Sequence, residues 1–583
     1  MYQLLLLLPL LAQLSLAWQP DHVLRIASGP VAADCTVRNS AVINGTSPGP
    51  TIRLKEGDHV WIRVYNDMEG SNTTLHWHGI SQYLSPFADG TPQTSQWPIA
   101  PGGYFDYEFL LQPGSAGTYM YHTHVGVQIV TAYGALIVEE AKPPFAYDAD
   151  LILLLGDFWH ASDANITKGL LGTPFTWPND PQALTVNGNA FGQCTGAACR
   201  AGCHTEVLNV LPETTYRVRM IGAMGLSFIY TSIDAHSPFT VIELDGGYIA
   251  AHNASYLEIS SGQRVSFLLR TKSAAELRAL NQTDFWANIE TRWRSTRDYG
   301  AWILRYNLTQ DDFPTLDPYA PIPALNKTVP LPDEAPYWIT NDLSAGNGST
   351  LGVYWVVDQY QYTENWPQVP YLVQAYENKL HPDYEGALAN GGFDNSTNSI
   401  PIHINETVDL VFLNLASFVG TLEAHPWHIH GAHPFLMAQG LGEFSDDAYT
   451  AARQNRTGQP YRLDTGVGAC ISSAVLPLSH YSSFSVPQPT RRRLFTEQHH
   501  GPARHERRWM VYRLSAVDAG AFLLHCHIQP HMTMGMATVL LIGMENLPSL
   551  PKGFLGEFMA YNSTRTLAAG AQPAGYFELV EGL

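Results

Sequence analysis

Histidines are concentrated in four short clusters, two in the first quarter of the chain and two in the last third. Ten of the 23 histidines fall in them, and the last cluster also contains a cysteine. The clusters are His76-Trp-His78, His122-Thr-His124, His425-Pro-Trp-His428-Ile-His430 and His525-Cys526-His527-Ile-Gln-Pro-His531. A single His-x-His pair also occurs in proteins without metal. The repetition of the pattern disfavours that interpretation and predicts metal binding.

Each His-x-His pair has the spacing of two neighbouring residues on one face of a β-strand. Because strand side chains alternate between faces, both imidazoles of a pair are expected to point the same way. In the last cluster the same period directs Cys526 to one side of the strand and His525 with His527 to the other. One strand can therefore join two metal centres, and its backbone can carry electrons between them.

The donor set favours copper. Two imidazoles, a thiolate and a weak axial thioether are typical of an electron-transfer copper site. Zinc is the alternative, but a structural zinc site needs only four ligands. Eleven donors in the clusters indicate several ions with coordination left open for a small molecule.

β-Strands are the elements that the sequence predicts around these clusters. Alternation with period two runs through His59–Tyr65 and Arg264–Arg270, and Asn44-Gly45 and Asn187-Gly188 are tight-turn signals. Long amphipathic helices are scarce. The predicted fold class is all-β.

The chain is 583 residues long, which suggests three or four domains. Proline-rich joints near Lys142–Phe145 and Asp317–Pro332 divide it into roughly three β-sandwich-sized pieces.

The net charge of −20 makes nucleic acid or an anionic membrane an unexpected partner. Arg491–Arg508 is a local basic exception, interpreted as a solvated loop in an insertion; a partner-binding or processed loop, or a mistranslated gene-model segment, is the alternative.

The first 17 residues have the apolar run and small residues of a signal peptide, and no later stretch is expected to span a membrane. Twelve Asn-x-Ser/Thr sequons agree with an N-glycosylated protein that is extracellular or in the cell wall. They are Asn44, Asn72, Asn165, Asn253, Asn281, Asn307, Asn326, Asn347, Asn395, Asn405, Asn455 and Asn562.

The four clusters resemble the copper motifs of the multicopper oxidases, the family of laccases and ascorbate oxidases, over nearly the whole mature chain. Segments such as His425-Pro-Trp-His428, Gln529-Pro-His531 and Met534-Gly-Met536 look most like ascorbate oxidase and the fungal laccase-like enzymes near it. The resemblance implies three consecutive cupredoxin-like domains, each a Greek-key β-sandwich. With the joints, the expected domains are 18–145, 146–316 and 330–583.

The resemblance also implies four copper ions, one of type 1, one of type 2 and a type 3 pair. The implied type 1 ligands are His425, Cys526 and His531, with Met536 axial. The implied type 2 ligands are His76 and His428. The implied type 3 ligands are His78, His122, His124, His430, His525 and His527. Met536 departs from many laccases, and a thioether there generally lowers the reduction potential and favours easily oxidised donors.

Three further positions are assigned from the same resemblance. Asp89 matches an acidic residue that delivers protons to the copper cluster, although an Asp-Gly turn is the alternative. Gln529 stands where the family often has an acid, so Asp89 or ordered water is expected to carry the protons. His531 is expected to receive the electron from the substrate, and Asp180 to accept a phenolic proton or to be an ordinary loop residue.

Five of the six cysteines lie outside the last cluster, so at least one is unpaired. The resemblance implies disulfides Cys35–Cys203 and Cys194–Cys199, and Cys470 has no counterpart in the subgroup.

The sequence thus predicts a secreted laccase-like enzyme that oxidises phenolic donors such as pigment precursors and reduces O₂ to water. Ascorbate oxidase is the nearest alternative. A ferroxidase needs acidic residues beside the type 1 copper, and the sequence shows no such pairing. A non-catalytic copper-binding cupredoxin protein would be expected to have lost ligands, and none is missing.

Overall fold

β-Strands are the main regular element of the computed structural model, as the sequence predicts. The structure describes residues 19–192, 203–293, 297–308, 313–323, 357, 360–364, 369–414, 424–456, 460–468, 491–496, 508–550 and 554–557. The predicted signal peptide lies outside these ranges. Within them, no helix combines the length and the apolar character needed to cross a lipid bilayer.

The first eight strands form two four-stranded sheets, with the orders β2-β1-β4-β6 and β3-β8-β7-β5. The strands are β1 His22–Val31, β2 Arg38–Ile43, β3 Ile52–Lys55, β4 His59–Asn66, β5 Leu75–His78, β6 Tyr104–Leu110, β7 Gly117–Thr123 and β8 Tyr133–Glu139. Short 3-10 helices span Pro86–Asp89 and Gln128–Val130. The predicted turn after β2 is confirmed, because Asn44 and Gly45 both have positive φ, 51° and 80°, as a type I′ hairpin turn requires.

The next eleven strands form a six-stranded sheet, β10-β9-β12-β17-β14-β15, and a five-stranded sheet, β11-β19-β18-β13-β16. The strands are β9 Ala149–Phe158, β10 Ala183–Val186, β11 Val207–Val210, β12 Thr215–Gly222, β13 Phe228–Ile233, β14 Phe239–Leu244, β15 Gly247–Ala254, β16 Leu257–Ile259, β17 Arg264–Arg270, β18 Asp284–Arg292 and β19 Tyr299–Tyr306. Two helices join them, α1 Asp163–Leu170 and α2 Ala274–Leu280. The strand predicted at Arg264–Arg270 is confirmed.

The last nine strands form sheets with the orders β20-β28-β27-β22-β24 and β23-β26-β21-β25. The strands are β20 Ser399–Ile402, β21 Thr407–Asn414, β22 His425–Ile429, β23 Phe435–Leu441, β24 Thr465–Gly468, β25 Arg491–Thr496, β26 Arg508–Ser515, β27 Gly520–Cys526 and β28 Ala537–Ile542. The helices are α3 Tyr371–Tyr376, α4 Tyr384–Ala389, α5 Asp446–Gln454, α6 Gln529–Thr533 and α7 Phe554–Glu557, with a 3-10 helix at Met544–Asn546.

The interpretation of Arg491–Arg508 as a solvated loop is wrong for its first part. Arg491–Thr496 forms β25, which pairs in parallel with β21 at the edge of a sheet. The charge of the arginine run indicates only that these side chains favour water. It does not predict whether the backbone pairs with a neighbouring strand, and here the backbone pairs with β21. Residues 497–507 lie outside the described residues.

The two sheets of β1–β8 are the first sandwich, those of β9–β19 the second and those of β20–β28 the third. A buried carboxylate of the second sandwich fixes β7 of the first. Glu243 on β14 accepts hydrogen bonds from the Thr118 backbone N–H (2.5 Å) and from Arg217 (2.6 Å). The side chains of Glu243 and Arg217 are both fully buried. β7 contains His122 and ends one residue before His124. The buried pair of Glu243 and Arg217 therefore helps to determine the position of the second histidine cluster.

Replacement of Glu243 by alanine is expected to destabilise the protein strongly. The substitution leaves the Arg217 guanidinium buried without its nearest carboxylate, a change that typically costs about 3–5 kcal/mol. Thermal unfolding followed by circular dichroism is expected to show a lower midpoint. Glu69→Ala, at an exposed position, is the control, and equal midpoints for the two variants would contradict this assignment.

Candidate metal centres

Two pairs of strands bring the four histidine clusters together. In the first sandwich β5 pairs with β7, which places His76 opposite His122. In the third, β22 pairs with β27, which places His428 opposite His525. The predicted common direction of each pair is confirmed by the distances between ring centroids. They are 5.8 Å for His76–His78, 5.7 Å for His122–His124, 4.7 Å for His428–His430 and 5.4 Å for His525–His527.

Eight imidazoles from the two sandwiches form one buried cluster. His76 stacks on His430 with centroids 3.8 Å apart, and His78 stacks on His428 at 3.7 Å. No ring in the cluster belongs to a residue more than 3% exposed. The members are His76, His78, His122, His124, His428, His430, His525 and His527.

Hydrogen bonds to carbonyl oxygens fix the proton position on four of these rings. The acceptors are Asp89 O for His76 (2.6 Å), Thr123 O for His122 (3.0 Å), Asp464 O for His428 (2.9 Å) and Cys526 O for His525 (2.9 Å). In each case the ring atom is Nδ1. A carbonyl oxygen can only accept, so Nδ1 carries the hydrogen and Nε2 presents a lone pair.

Several of these lone pairs face one another across a space that requires a cation. Nε2 of His76 lies 3.4 Å from Nε2 of His428. Burial lowers the pKa of both imidazoles, so protonation does not supply the positive charge. A metal ion between the two nitrogens satisfies both, and the residues therefore fit the group that the donor set predicts.

Two further pairs of ring nitrogens face one another in the same way. Nε2 of His430 lies 3.1 Å from Nε2 of His525. Nε2 of His527 lies 3.1 Å from Nδ1 of His78. His78 is turned the other way because its Nε2 lies 3.1 Å from the Thr465 hydroxyl and 3.3 Å from an oxygen of Asp464.

The remaining donors form a second, separate group on the opposite side of β27. The Cys526 sulfur lies 3.5 Å from Nδ1 of His425 and 3.7 Å from Nδ1 of His531, and these two nitrogens are 3.2 Å apart. Met536 is fully buried in the same core, and its carbonyl accepts from the Cys526 N–H. The predicted placement of Cys526 on one side of the strand and of His525 with His527 on the other is therefore confirmed.

A buried ion pair that the sequence did not single out supports the imidazole cluster. Asp464 accepts from Arg264 of the second sandwich at 2.6 Å, and both side chains are buried. Burial alone would raise the pKa of Asp464, but the Arg264 guanidinium holds it well below its usual range. The same carboxylate lies beside His78, whereas its backbone carbonyl holds His428. Asp464 thus orients one imidazole of the first sandwich, His78, and one of the third, His428.

Asp89, which the resemblance assigned to proton delivery, lies against the cluster. Its Oδ2 is 2.9 Å from Nδ1 of His430 and accepts from the Thr91 hydroxyl. Its Oδ1 is buried and accepts no hydrogen bond from the described residues. Burial raises the pKa of Asp89 to about 7, and the Thr91 hydrogen bond offsets part of that rise.

A second carboxylate, which sequence reasoning missed, lies on the side occupied by Gln529. Gln529 donates to the Gly126 carbonyl at 2.5 Å, and the Gly126 N–H donates to Glu364 at 3.0 Å. The other oxygen of Glu364 is 3.7 Å from Nδ1 of His124. Nothing in the sequence around Glu364 predicts this position, because it lies more than 200 residues from His124.

The surroundings of His531 include an indole that the sequence did not indicate. The ring of Trp177 lies 6.3 Å from that of His531, centroid to centroid. Asp180 follows in the same loop and is partly exposed. Its assignment as a substrate carboxylate stays a prediction.

The structure joins Cys35 to Cys203 in a disulfide, with Cα atoms 5.3 Å apart. Cys194, Cys199 and Cys470 lie outside the described residues. Among the cysteines that the structure describes, Cys526 is not part of a disulfide.

The class of protein follows from the fold and the donors together. Two buried donor groups, one of imidazoles alone and one of imidazoles with a thiolate, lie on opposite sides of one strand in a protein of β-sandwiches. This arrangement defines a copper protein of the cupredoxin type.

Comparison with known proteins gives the family. Models described as multicopper oxidase match residues 25–143, 149–307, and 365–468 with 502–546. Multicopper oxidase aurL2 of Gibberella zeae is 37% identical, over 90% of this chain and 88% of that protein. Laccase-like multicopper oxidase 1 of Thermothelomyces thermophilus is 32% identical, over 94% and 90%. L-ascorbate oxidase of Cucurbita maxima is 28% identical, over 89% of each. The chain belongs to the multicopper oxidase family.

Solved structures share the fold. The laccase from Botrytis aclada has a TM-score of 0.67 and 23% identity, covering 95% of this chain and 94% of that chain. Fet3p, a multicopper oxidase, has a TM-score of 0.62 and 22% identity, covering 94% and 98%. The predicted fold of three cupredoxin-like domains is confirmed. Family membership makes this chain a copper-dependent oxidoreductase that uses O₂.

Replacement of Asp464 by asparagine is expected to weaken copper binding as well as stability. The amide keeps the size of the side chain but leaves Arg264 without its closest negative charge and alters the hydrogen bond beside His78. Loss of such outer partners typically lowers metal affinity about 10- to 100-fold. Copper retained after dialysis against graded chelator concentrations measures the effect.

Asp409→Asn is the matched control, because Asp409 forms a similar buried pair with Arg513 (2.7 Å) on β21 and β26. It is expected to lower the unfolding temperature and to leave copper retention unchanged. Equal copper retention in the two variants would count against the role of Asp464.

Proposed function

We propose that the protein is a secreted laccase-like oxidase that removes single electrons from phenolic donors and uses four of them to reduce O₂ to water. One observation carries the proposal: Cys526 of the thiolate group is flanked by His525 and His527 of the imidazole cluster. Oxidation of the donor and reduction of O₂ can then occur at separate places joined by continuous backbone.

Four copper ions are proposed, in the arrangement usual for the family. His425, Cys526 and His531, with Met536 as the axial ligand, would hold the type 1 ion. His76 and His428 would hold the type 2 ion. The type 3 pair would be held by His78, His122, His124, His430, His525 and His527. Bound copper supplies the one-electron redox chemistry that these side chains lack. The facing nitrogens of His76 with His428, and of His430 with His525, support this assignment.

The protein's own residues handle the protons of the reaction. Asp89 is proposed to hold and release a proton at Oδ1, the buried oxygen that accepts no hydrogen bond. Thr91 and His430 hold its other oxygen, which keeps the carboxyl group directed at the cluster. Gln529 cannot share this role, because an amide does not titrate near neutral pH.

Electron entry is proposed at His531, which lies in the core beside Trp177. An aromatic donor is proposed to pack on the partly exposed indole, next to the buried imidazole of His531. Asp180 of the same loop is proposed to accept the phenolic proton. The likeness to a fungal enzyme named laccase-like multicopper oxidase supports a phenolic donor. A pigment precursor is proposed as that donor. Ascorbate oxidase is the second candidate, supported by the 28% identity to the Cucurbita maxima enzyme.

Secretion and N-glycosylation belong to the same proposal, as does the domain division 18–145, 146–316 and 330–583. The disulfide between Cys35 and Cys203 suits an oxidising compartment. Within the part of the chain that the structure describes, eight sequon asparagines are exposed and accessible to a glycan. They are Asn44, Asn165, Asn253, Asn281, Asn307, Asn395, Asn405 and Asn455.

Replacement of Cys526 by serine is expected to abolish the thiolate-to-copper visible absorption and the oxidation of phenols. The imidazole cluster keeps its ligands, so copper is expected to fall from about four ions per chain to about three. Metal analysis and the visible spectrum of oxidised protein measure this. Met536→Leu is the control, expected to keep the absorption and to raise the reduction potential. Visible absorption that survives in Cys526→Ser, or wild-type protein with far fewer than four coppers, would contradict the assignment.

Steady-state kinetics with a diphenol or naphthol and with ascorbate, at matched pH, separate the two candidate donors. A larger kcat/KM is expected for the phenol, because the loop beside His531 offers an aromatic surface. A large preference for ascorbate would establish the second candidate instead.

A further inference from the structure

We propose that Ser261, in the second sandwich, is a positioning residue that fixes the ring of His527 so that its Nε2 faces His78. The inference rests on the proposed function, in which both histidines hold the type 3 copper pair. The second sandwich contributes none of the proposed ligands, so this would give it a direct part in building the copper cluster.

Ser261 lies in the turn between β16 and β17, which reaches the imidazole cluster. The backbone of the turn is anchored to the end of β12: Gly262 N–H donates to Gly222 O at 2.8 Å, and Gly222 N–H donates to Gln263 O at 2.9 Å. Ser261 itself is 1% exposed. The hydroxyl is therefore held in place by the second sandwich and is shielded from water.

The hydrogen bonds of this hydroxyl determine which nitrogen of His527 carries the hydrogen. The Ser261 oxygen lies 2.9 Å from Nδ1 of His527 and within hydrogen-bond distance of two carbonyl oxygens, those of Met224 and His527. Both carbonyls can only accept, so the single hydroxyl hydrogen goes to a carbonyl, Met224 O being the nearer. The oxygen then accepts from Nδ1–H, which leaves the Nε2 lone pair directed at His78.

Close packing of the next residue keeps the ring in this orientation. A Cβ atom on Gly262 would lie 2.9 Å from a carbon of the His527 ring and 3.0 Å from one of the His78 ring, and the residue has a φ of +86°. Only glycine allows the turn to approach both rings so closely. Ser261 and Gly262 thus fix the His527 ring by a hydrogen bond and by contact.

His527 differs from four of the other imidazoles of the cluster in the group that accepts its Nδ1 hydrogen. His76, His122, His428 and His525 donate to carbonyl oxygens of the first or third sandwich. For His527 the acceptor is the side chain of Ser261. Substitution of Ser261 alone therefore removes the acceptor and leaves every proposed ligand and its backbone unchanged.

The test compares Ser261→Ala with Ser260→Ala in the full-length, copper-loaded protein. Ser260 is the matched control because it is equally buried and its hydroxyl bonds to Gln263 (2.8 Å) within the turn. In Ser261→Ala the chelator concentration that removes half of the type 3 copper is expected to fall about tenfold. The near-ultraviolet absorption of the coupled copper pair is expected to fall with it, whereas the visible absorption of the type 1 copper is retained.

Ser260→Ala is expected to match wild type in both spectra. The inference is overturned if Ser261→Ala keeps wild-type copper retention, if it loses type 1 and type 3 absorption equally, or if Ser260→Ala shows the same loss. Ser261→Gly deletes the same hydroxyl and takes the place of Ser261→Ala if that variant does not fold. Wild-type protein that binds no coupled copper pair would instead overturn the proposed function.

Discussion

The constraint on which the structure depends is the repulsion between nitrogen lone pairs that the fold holds close together in a buried site. Burial keeps the imidazoles neutral, and carbonyl oxygens hold the hydrogen on the far nitrogen of His76 and His428, so the near nitrogens face one another 3.4 Å apart. Such an arrangement is unfavourable in an empty protein and favourable around a cation. The fold therefore has to supply enough stability elsewhere to hold the rings in place until metal arrives.

That stability comes from buried polar contacts between the sandwiches as much as from apolar cores. Arg264 of the second sandwich pairs with Asp464 of the third, and Glu243 of the second receives the backbone of Thr118 in the first. Thr118 lies four residues before His122 along the chain. The Asp464 carboxylate lies 3.3 Å from His78. The second sandwich holds no proposed copper ligand, but it determines how the other two sandwiches face each other, and so how far apart their imidazoles lie.

The sequence predicted how the donor side chains are grouped because period two is a local rule. The spacing of His525, Cys526 and His527 alone indicates which side chains share a face, and the structure agrees. Support from distant segments was not predictable in the same way, since Glu364 and Ser261 have no spacing relation to the histidines that they approach. The arginine run at Arg491 was misinterpreted for a related reason: side-chain charge does not determine backbone pairing, and β21 offered a free edge for a parallel strand.

The alternation along β27 has a consequence for how this protein can change over evolutionary time. Substitutions within the strand alter one ligand each, but insertion or deletion of a single residue next to Cys526 would reverse the phase of the strand and exchange the faces on which sulfur and imidazoles lie. Both centres would be lost in one event. Lineages of this protein are therefore expected to vary in loop length freely, while the distance in residues between His525 and His531 stays constant.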